Sequence, residues 1–311
     1  MRHPCSFLPH RPLLAVFLAL SLWAGQPKML TAQSTSPSLD LFSGVDFNFR
    51  DINFNTQYEF LIRLSPGFKW DMGHHWQLAG QVMIPIVNQY GDGTRYVQLN
   101  MLNVSKELQL GQLYLKGTAG LFSEVLTQNR YGLDLKAFWP LCDWFAFEGQ
   151  AGWVGIVIMN SDWFISPMDR YAWTAGADIY LSKWNTQLRF SGGKYLYQDY
   201  GYEIEAMRHF NHTTVSVYGL WNNVNYFDAG FRVVIALPPY HRKHRTVNFR
   251  PASNWRMSYT TMYHIFTNRM YCTDPEENER DGWFSRDLLQ WGSHTMQPDF
   301  IYKTTNTNET P

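Results

Sequence analysis

The sequence predicts an all-β protein that folds as an antiparallel transmembrane β-barrel of about twelve strands and carries a C-terminal extension. Three observations lead to this fold class. Long segments alternate apolar and polar residues with a period of two, which is typical of half-buried strands. No window after residue 33 offers the run of about 18 apolar residues that a membrane-spanning helix needs. The connections between the alternating segments are short and long in turn, as they are in bacterial outer-membrane barrels.

The composition excludes several other classes of protein. Aromatic residues make up 17% of the chain, and charged residues also make up 17%, below the average of about 25%. Such a chain is too aromatic and too poor in charge to be intrinsically disordered. Its formal net charge is +0 at pH 7, so it lacks the basic excess that nucleic-acid binding requires. Three cysteines are too few for a disulfide scaffold.

Residues 1–32 are predicted to be a signal peptide. Arg2 and Arg11 precede an apolar run over 13–24. That run is too short to cross about 30 Å of hydrocarbon as a helix, and it suits the apolar core of a secretory signal. Cleavage after Ala32 would release the mature chain. The alternative is a single N-terminal membrane anchor.

Alternation defines the barrel, which is predicted to occupy residues 33–238. In one segment, Tyr171 and Trp173 lie on one face while Arg170 and Asp178 lie on the other. Segments of about nine residues or more are long enough to cross a bilayer as tilted strands. Such segments lie near residues 39–50, 55–71, 75–88, 93–106, 111–123, 129–140, 144–158, 170–182, 185–195, 200–210, 212–222 and 227–237.

The connections predict which end of the barrel faces which compartment. The short connections cover residues 72–75, 106–111, 140–143, 182–185 and 210–213. The longer ones cover residues 88–94, 124–130, 159–169, 194–199 and 222–227. Short turns are periplasmic and longer loops are extracellular in such barrels. The N-terminus and the end of the last strand are therefore predicted to be periplasmic.

Aromatic residues near the strand ends favour lipid as the surrounding solvent. Tryptophan and tyrosine concentrate where a membrane meets water, and this sequence has such residues at Trp70, Trp76, Trp144, Trp184 and Trp221. An apolar outer face of this size would be a very large exposed patch in water. In lipid the sheet must also close, because open edges cannot be satisfied there. A soluble β-sandwich or a calycin-like barrel is the alternative fold.

Residues 239–311 are predicted to form a partly irregular periplasmic extension. Residues 255–266 alternate in part, which fits either one more strand or a plug-like segment, and 275–281 read as an acidic turn. A basic run beside the rim could bind an acidic glycan, lipid phosphates or an acidic partner. A solvated spacer is the alternative. The candidate residues of this run are His241, Arg242, Lys243 and Arg245.

Catalytic motifs are absent from the sequence. There is no G-x-S-x-G, H-E-x-x-H, P-loop or C-x-x-C, so we predict no catalytic residue, metal or cofactor. Cys142 and Cys272 could form a disulfide, because both are predicted to be periplasmic. Inward charges of small barrels usually pair with one another. The candidates for lining the lumen or contacting a glycan are Asp178, Arg189, Asp199, Glu203, Glu205, Arg208 and Arg232.

One region has a more specific pattern. Gly192 begins the sequence GGKYLYQDYGYEIEAMRHF, in which a glycine-and-aspartate hairpin leads into a strand ending in an Arg-x-Phe sequence. A later strand begins at Asp228-Ala229-Gly230 and stops at Leu237-Pro238. Residues 192–238 thus resemble the C-terminal barrel segment of the YjbH family of outer-membrane proteins. This resemblance implies a role in exopolysaccharide production and export. The positions that match the family pattern are 199–201, Arg208 and Gly230.

Two classes of function are therefore expected. The first is a non-catalytic barrel in the outer membrane of a Gram-negative bacterium that assists the production or export of an exopolysaccharide or capsule. Its partners would be outer-membrane lipid, polysaccharide and periplasmic export proteins, but no nucleic acid. The second is an accessory structural barrel of a protein-secretion or adhesion machine. A lipid-modifying barrel enzyme is a third alternative.

Overall fold

The protein is described by a computed structural model that covers most of the chain after the predicted signal peptide. It describes residues 37–51, 58–91, 94–124, 129–142, 144–159, 163–210, 213–223, 227–237, 246–261 and 270–276. In these ranges no helix has both the length and the apolar character needed to cross a bilayer.

A single sheet of fifteen strands makes up the described structure, and twelve of these strands match the segments predicted from alternation. The predicted β-barrel is therefore confirmed. The main shift in bounds is in the fourth strand, which begins and ends later than predicted. The strands are β1 (Ser38–Arg50), β2 (Glu59–Gly73), β3 (Trp76–Asn88), β4 (Gln98–Leu110), β5 (Leu113–Ser123), β6 (Asn129–Cys142), β7 (Phe145–Met159), β8 (Trp163–Ile165), β9 (Arg170–Leu181), β10 (Thr186–Lys194), β11 (Tyr200–His209), β12 (Thr213–Asn222), β13 (Phe227–Ala236), β14 (Val247–Pro251) and β15 (Asn254–Thr260).

The barrel closes through a parallel seam that alternation alone did not predict. β1 pairs antiparallel with β2 on one side. On its other side it pairs in parallel with β14 and then with β15, which together occupy one position of the wall. β15 also pairs antiparallel with β13. β8 pairs only with the last three residues of β7 and takes no position of its own in the wall. The wall therefore has thirteen strands rather than twelve, and the barrel is mixed rather than wholly antiparallel. The sheet thus extends past the predicted barrel boundary at residue 238.

The two ends of the barrel carry different connections, as the sequence predicted. The turn-bearing end joins β2–β3, β4–β5, β6–β7, β9–β10 and β11–β12, and the first of these turns places His74 and His75 at positive φ. The loop-bearing end joins β1–β2, β3–β4, β5–β6, β7–β9 by way of β8, β10–β11 and β12–β13. β13 ends and β14 begins at the turn-bearing end. β1 begins at the turn-bearing end, and β15 runs parallel to it. The chain therefore leaves β15 at the loop-bearing end.

The two faces of the wall differ in polarity. Along the strands, exposed apolar side chains alternate with buried polar ones. Exposed residues on the outer face include Trp76, Leu133, Phe190, Val217 and Phe249. Buried polar residues on the lumen face include Asp46, Asn48, Arg63, Gln81, Asn103, Lys116, Asp134, Lys136, Asp178 and Gln187. The barrel is apolar outside and polar inside, the reverse of a soluble protein.

Two glycines lie where a side chain would collide with the backbone of an adjacent strand. Gly120 in β5 and Gly132 in β6 lie directly opposite each other, at φ angles of 140° and 151°. A side chain at Gly120 would overlap the carbonyl of Leu102, and one at Gly132 would overlap the carbonyl of Trp153. Because L-residues rarely adopt such angles, only glycine suits either position.

A lumen segment on a cationic wall

The lumen is occupied by part of the chain itself. Residues Met270–Glu276, the lumen segment, lie inside the barrel, although they follow the last strand. One backbone bridge attaches them to β5: the Ser123 amide donates to the Cys272 carbonyl at 3.0 Å, and the Cys272 amide donates to the Ser123 carbonyl at 2.8 Å. The segment runs from this bridge near the loop-bearing end towards the turn-bearing end. The sequence left open whether residues 255–266 form one more strand or a plug-like segment. Asn254–Thr260 form strand β15, and it is the later stretch Met270–Glu276 that has the position of a plug.

An aromatic contact holds the upper part of the lumen segment. The ring of Tyr271 stacks on Phe122, with centroids 4.9 Å apart and planes at 14°. Both rings belong to a buried apolar cluster with Val154, Ala172 and Leu196. The Tyr271 hydroxyl donates to Asp134 Oδ1 at 2.7 Å. This arrangement buries the aromatic ring and satisfies its polar atom.

Amide and ammonium donors hold the middle of the segment. Asn103 Nδ2 donates to the Thr273 carbonyl at 2.9 Å, and Lys136 Nζ donates to the Thr273 hydroxyl at 3.0 Å. Gln81 Nε2 donates to the carbonyl of Pro275. These donors satisfy carbonyls that would otherwise be buried without partners, and an unmade bond of that kind is costly.

Two carboxylates anchor the lower part of the segment. Lys69 Nζ lies 2.8 Å from Asp274 Oδ1 and 2.9 Å from Glu276 Oε2. Arg250 donates hydrogen bonds to both carboxylate oxygens of Glu276, from Nη1 at 2.7 Å and from Nη2 at 3.0 Å. The Ser253 amide, freed at the break between β14 and β15, donates to Glu276 Oε1 at 2.7 Å. A bidentate arginine–carboxylate pair is among the strongest polar contacts in proteins.

The pKa values of these two carboxyls reflect the ion pairs. Burial alone would raise both pKa values, but the positive charges outweigh it. Lys69, with Lys116 behind it, lowers the pKa of Asp274 to about 2. Lys69 and Arg250 together hold the pKa of Glu276 well below its ordinary value. Both groups therefore stay ionised at neutral pH. We refer to β2–β6 with β14 as the cationic wall, after Lys69, Lys136 and Arg250.

The opposite side of the lumen contains most of the polar residues predicted from the sequence. This paired wall comprises β7 and β9–β13. Arg189 Nη2 pairs with Glu148, and Gln187 Nε2 donates to Asp178 Oδ1 at 2.9 Å. Arg232 Nη1 lies 2.9 Å from Glu205 Oε1 and 3.5 Å from Glu203 Oε1. The predicted residues that this wall brings together are Asp178, Arg189, Glu203, Glu205 and Arg232.

Two predicted lumen residues lie elsewhere. Asp199 is buried at the loop-bearing end, where its Oδ2 accepts a hydrogen bond from Asn222 Nδ2 at 2.8 Å. Arg208 is exposed on the outer face and donates to Thr186 Oγ1 at 3.1 Å. The inward positions of β11 are odd-numbered, as the buried Met207 shows, so the strand alternation itself directs Arg208 outward. The prediction that Arg208 lines the lumen is corrected on this ground.

The remaining predicted sites can be placed only in part. His241, Arg242, Lys243 and Arg245 lie outside the described residues. No disulfide joins Cys142 and Cys272. They lie apart, because Cys142 ends β6 at the turn-bearing end and Cys272 pairs with Ser123 at the other end. Among the residues that the structure describes, no three His, Cys, Asp or Glu side chains are grouped to hold a metal ion.

A second buried ion pair stabilises the loop-bearing end, and sequence reasoning missed it. The fully buried Arg130 donates through Nε to Glu124, which also accepts a hydrogen bond from the Tyr197 hydroxyl. Burial, together with the charge of Glu124, raises the pKa of this hydroxyl. Glu124 and Arg130 flank one connection, six residues apart, but Tyr197 lies 73 residues from Glu124, so no local pattern could have identified the whole group.

The sequence matches no model of a known protein family and no curated protein. The functional conclusions below therefore rest on the residues and geometry of this chain.

Proposed function

We propose that this chain is a non-catalytic outer-membrane β-barrel that assists exopolysaccharide or capsule production or export in a Gram-negative bacterium. The observation that carries the proposal is the inverted polarity of the wall. Trp76, Leu133, Phe190 and Val217 point outward from different strands and are 42–58% exposed. Lipid is the solvent in which such a surface is stable and in which a sheet must close.

Strand length and aromatic placement also support a membrane location. The long strands β1–β7 and β9–β13 have 9 to 15 residues, and about 9–11 residues suffice to cross a bilayer. Aromatic pairs flank the barrel ends. One example is Trp153 stacked on Tyr171 with centroids 5.8 Å apart. Tryptophan and tyrosine rings are enriched in the headgroup region of membranes.

The filled lumen favours an assisting role over that of a wide conduit. The lumen segment and the charged side chains occupy the interior, and small barrels have little free space. The lumen segment descends towards the turn-bearing end, which we assign to the periplasm. The resemblance of residues 192–238 to the YjbH family supplies the link to polysaccharide.

Surface glycan in a deletion strain is the direct test. We expect deletion to reduce cell-surface exopolysaccharide and re-expression of the chain to restore it. The protein should fractionate with the outer membrane and migrate differently on gels before and after boiling. Unchanged surface glycan would remove the export role, whereas loss of the chain from the membrane fraction would remove the barrel's location as well.

A structural barrel of a secretion or adhesion machine is the second candidate. The observation that favours it is the density of internal contacts, since both walls of the lumen are occupied by paired side chains or by the lumen segment. Affinity purification from membranes separates the two roles, because a machine subunit should co-purify in fixed stoichiometry with secretion components rather than with export proteins.

A further inference from the structure

The cationic wall presents three kinds of group in one line along the lumen segment. The ring of Phe122 comes first, near the loop-bearing end. The amides of Asn103 and Gln81 follow, and the cations Lys69 and Arg250 come last. An aromatic face, amide donors and cations are the groups that hold a sugar ring, its hydroxyls and its carboxylates.

We propose that this line is a binding site for an acidic, uronate-bearing polysaccharide, and that the lumen segment is its built-in competitor. The inference rests on the proposed function and names its substrate class. In the structure, Tyr271 covers the ring of Phe122, and the Thr273 hydroxyl accepts a hydrogen bond from Lys136. The Glu276 carboxylate forms ion pairs with Arg250 and Lys69. A uronate chain offers the same series: an apolar ring face, hydroxyls and carboxylates.

The order of the contacts favours a glycan over an acidic peptide. A peptide would supply carboxylates and carbonyls, but it would need an aromatic side chain to cover Phe122. A sugar ring covers an aromatic face with its own C–H groups. Lys136 also contacts a hydroxyl rather than a carboxylate in the present occupant, and hydroxyls are abundant on every sugar.

The lumen segment is attached in a way that permits displacement. Within the described residues, its one backbone pairing with the wall is the Ser123–Cys272 bridge. Each of the remaining polar contacts described above has a side chain as at least one partner, and a competing ligand could replace these contacts one at a time. A ligand that binds only the open state lowers the population of the occupied state in proportion to its affinity.

Cys272 provides a built-in probe, because its side chain is fully buried. The full-length chain in detergent would carry Cys5→Ser and Cys142→Ser, leaving Cys272 as the one thiol of the sequence. Alkylation of this thiol by a small maleimide is timed with increasing oligogalacturonate, and with a neutral maltooligosaccharide of equal length. Ionic strength is held constant with NaCl, since salt alone weakens ion pairs.

We expect oligogalacturonate to accelerate alkylation saturably by about ten-fold or more, with no effect of the neutral sugar. Lys69→Gln should raise the basal rate and abolish the acceleration, and Arg250→Gln should do the same. Lys183→Gln, at an exposed turn far from the segment, should respond like the parent chain. Altered migration on gels before and after boiling would identify any variant that fails to fold.

Three results would overturn the proposal: no acceleration by oligogalacturonate, equal acceleration by the neutral sugar, or an undiminished response in both cation variants. Acceleration by polyglutamate without acceleration by oligogalacturonate would also overturn it in favour of an acidic peptide. This binding test is separate from the cellular one. Glycan-dependent alkylation together with normal surface polysaccharide in the deletion strain would retain the site and reject the export role.

Discussion

The cationic wall and the paired wall both carry buried charge, but they neutralise it with different partners. On the paired wall, Arg189 and Arg232 meet carboxylates from neighbouring strands of the same wall. On the cationic wall, Lys69 and Arg250 meet Asp274 and Glu276 from a segment that is not part of the sheet. The cationic wall also has ion pairs within the sheet, since Arg250 Nε lies 3.5 Å from Asp40 Oδ2 and Lys116 Nζ lies 3.2 Å from Glu107 Oε1. It differs from the paired wall in that Lys69 and Arg250 also take carboxylate partners from the lumen segment.

Among substitutions in the two walls, we expect Lys69→Met in the cationic wall to have the largest effect on how firmly the lumen segment is held. The substitution leaves the carboxylates of Asp274 and Glu276 buried with one cation fewer. Breaking a buried pair on one side costs roughly 3 kcal/mol or more, equivalent to over 100-fold in an equilibrium constant. We therefore expect Cys272 alkylation to accelerate by about that factor while the barrel stays folded.

Two variants control this experiment. Lys183→Met removes an exposed lysine at a turn and should leave the alkylation rate unchanged. Adding Asp274→Asn and Glu276→Gln to Lys69→Met removes the stranded charges and should recover part of the protection. Unchanged protection in Lys69→Met itself would mean that the ion pairs do not hold the segment.

Gly152→Ala tests the aromatic part of the same attachment. Gly152 faces the lumen from β7, and a side-chain carbon there would overlap the Tyr271 hydroxyl. We expect the state in which the lumen segment occupies the barrel to be destabilised by about 1–3 kcal/mol. This destabilisation should be seen as faster alkylation of Cys272. Gly149→Ala on the same strand has only an ordinary contact at 3.5 Å and serves as the matched control. Equal behaviour of the two variants would place Tyr271 outside the lumen.

These two regions also differ in how far the sequence predicts them. The residues of the paired wall could be predicted from the sequence, because alternation assigns each residue of a strand to one face. Asp178 and Arg189 are direct cross-strand neighbours in the lumen, as their position in the pattern implies. Arg208 was misplaced because its polarity was given more weight than its register, which puts it on the same face as Ile204.

The ion pairs between the cationic wall and the lumen segment could not be predicted from any local sequence pattern. In the sequence, Lys69 and Arg250 resemble any other inward-facing cation. Only the fold shows that residues 270–276 lie in the lumen beside them. Glu276 fell within the acidic turn predicted at residues 275–281, and Asp274 was not singled out at all. The thirteenth strand position was predicted only as one of two alternatives for residues 255–266, since β14 and β15 are short and separated by Ala252 and Ser253. A non-local return of the chain has no periodicity to detect.

A smaller difference between the walls should appear on acidification. The pKa of Asp274 is lowered to about 2 and that of Glu276 well below its ordinary value, with burial opposing and Lys69 prevailing. Their contribution to holding the segment is full above the ordinary carboxyl pKa near 4 and is lost as the pH falls towards 2. For Asp274 this amounts to about 2 kcal/mol.

Hydrogen exchange of the peptide containing residues 270–276 measures this effect once intrinsic exchange rates are subtracted. We expect constant protection between pH 7 and 5, and falling protection below about pH 4. Asp274→Asn with Glu276→Gln should flatten the profile. A profile that falls at pH 6 instead would point to a histidine and exclude these carboxyls as its source.

The smallest effect is expected on the paired wall, from Glu203→Gln. Arg232 lies 3.5 Å from Glu203 Oε1, but it keeps Glu205 at 2.9 Å and lies 3.9 Å above the ring of Tyr218. Since the arginine retains a full ion pair, we expect a stability change within about 0.5 kcal/mol and no change in Cys272 alkylation. Thermal unfolding in detergent and the alkylation rate measure the two quantities on one sample. Faster alkylation in Glu203→Gln would show that the walls are coupled through the lumen, and the segment would then depend on both walls rather than on one.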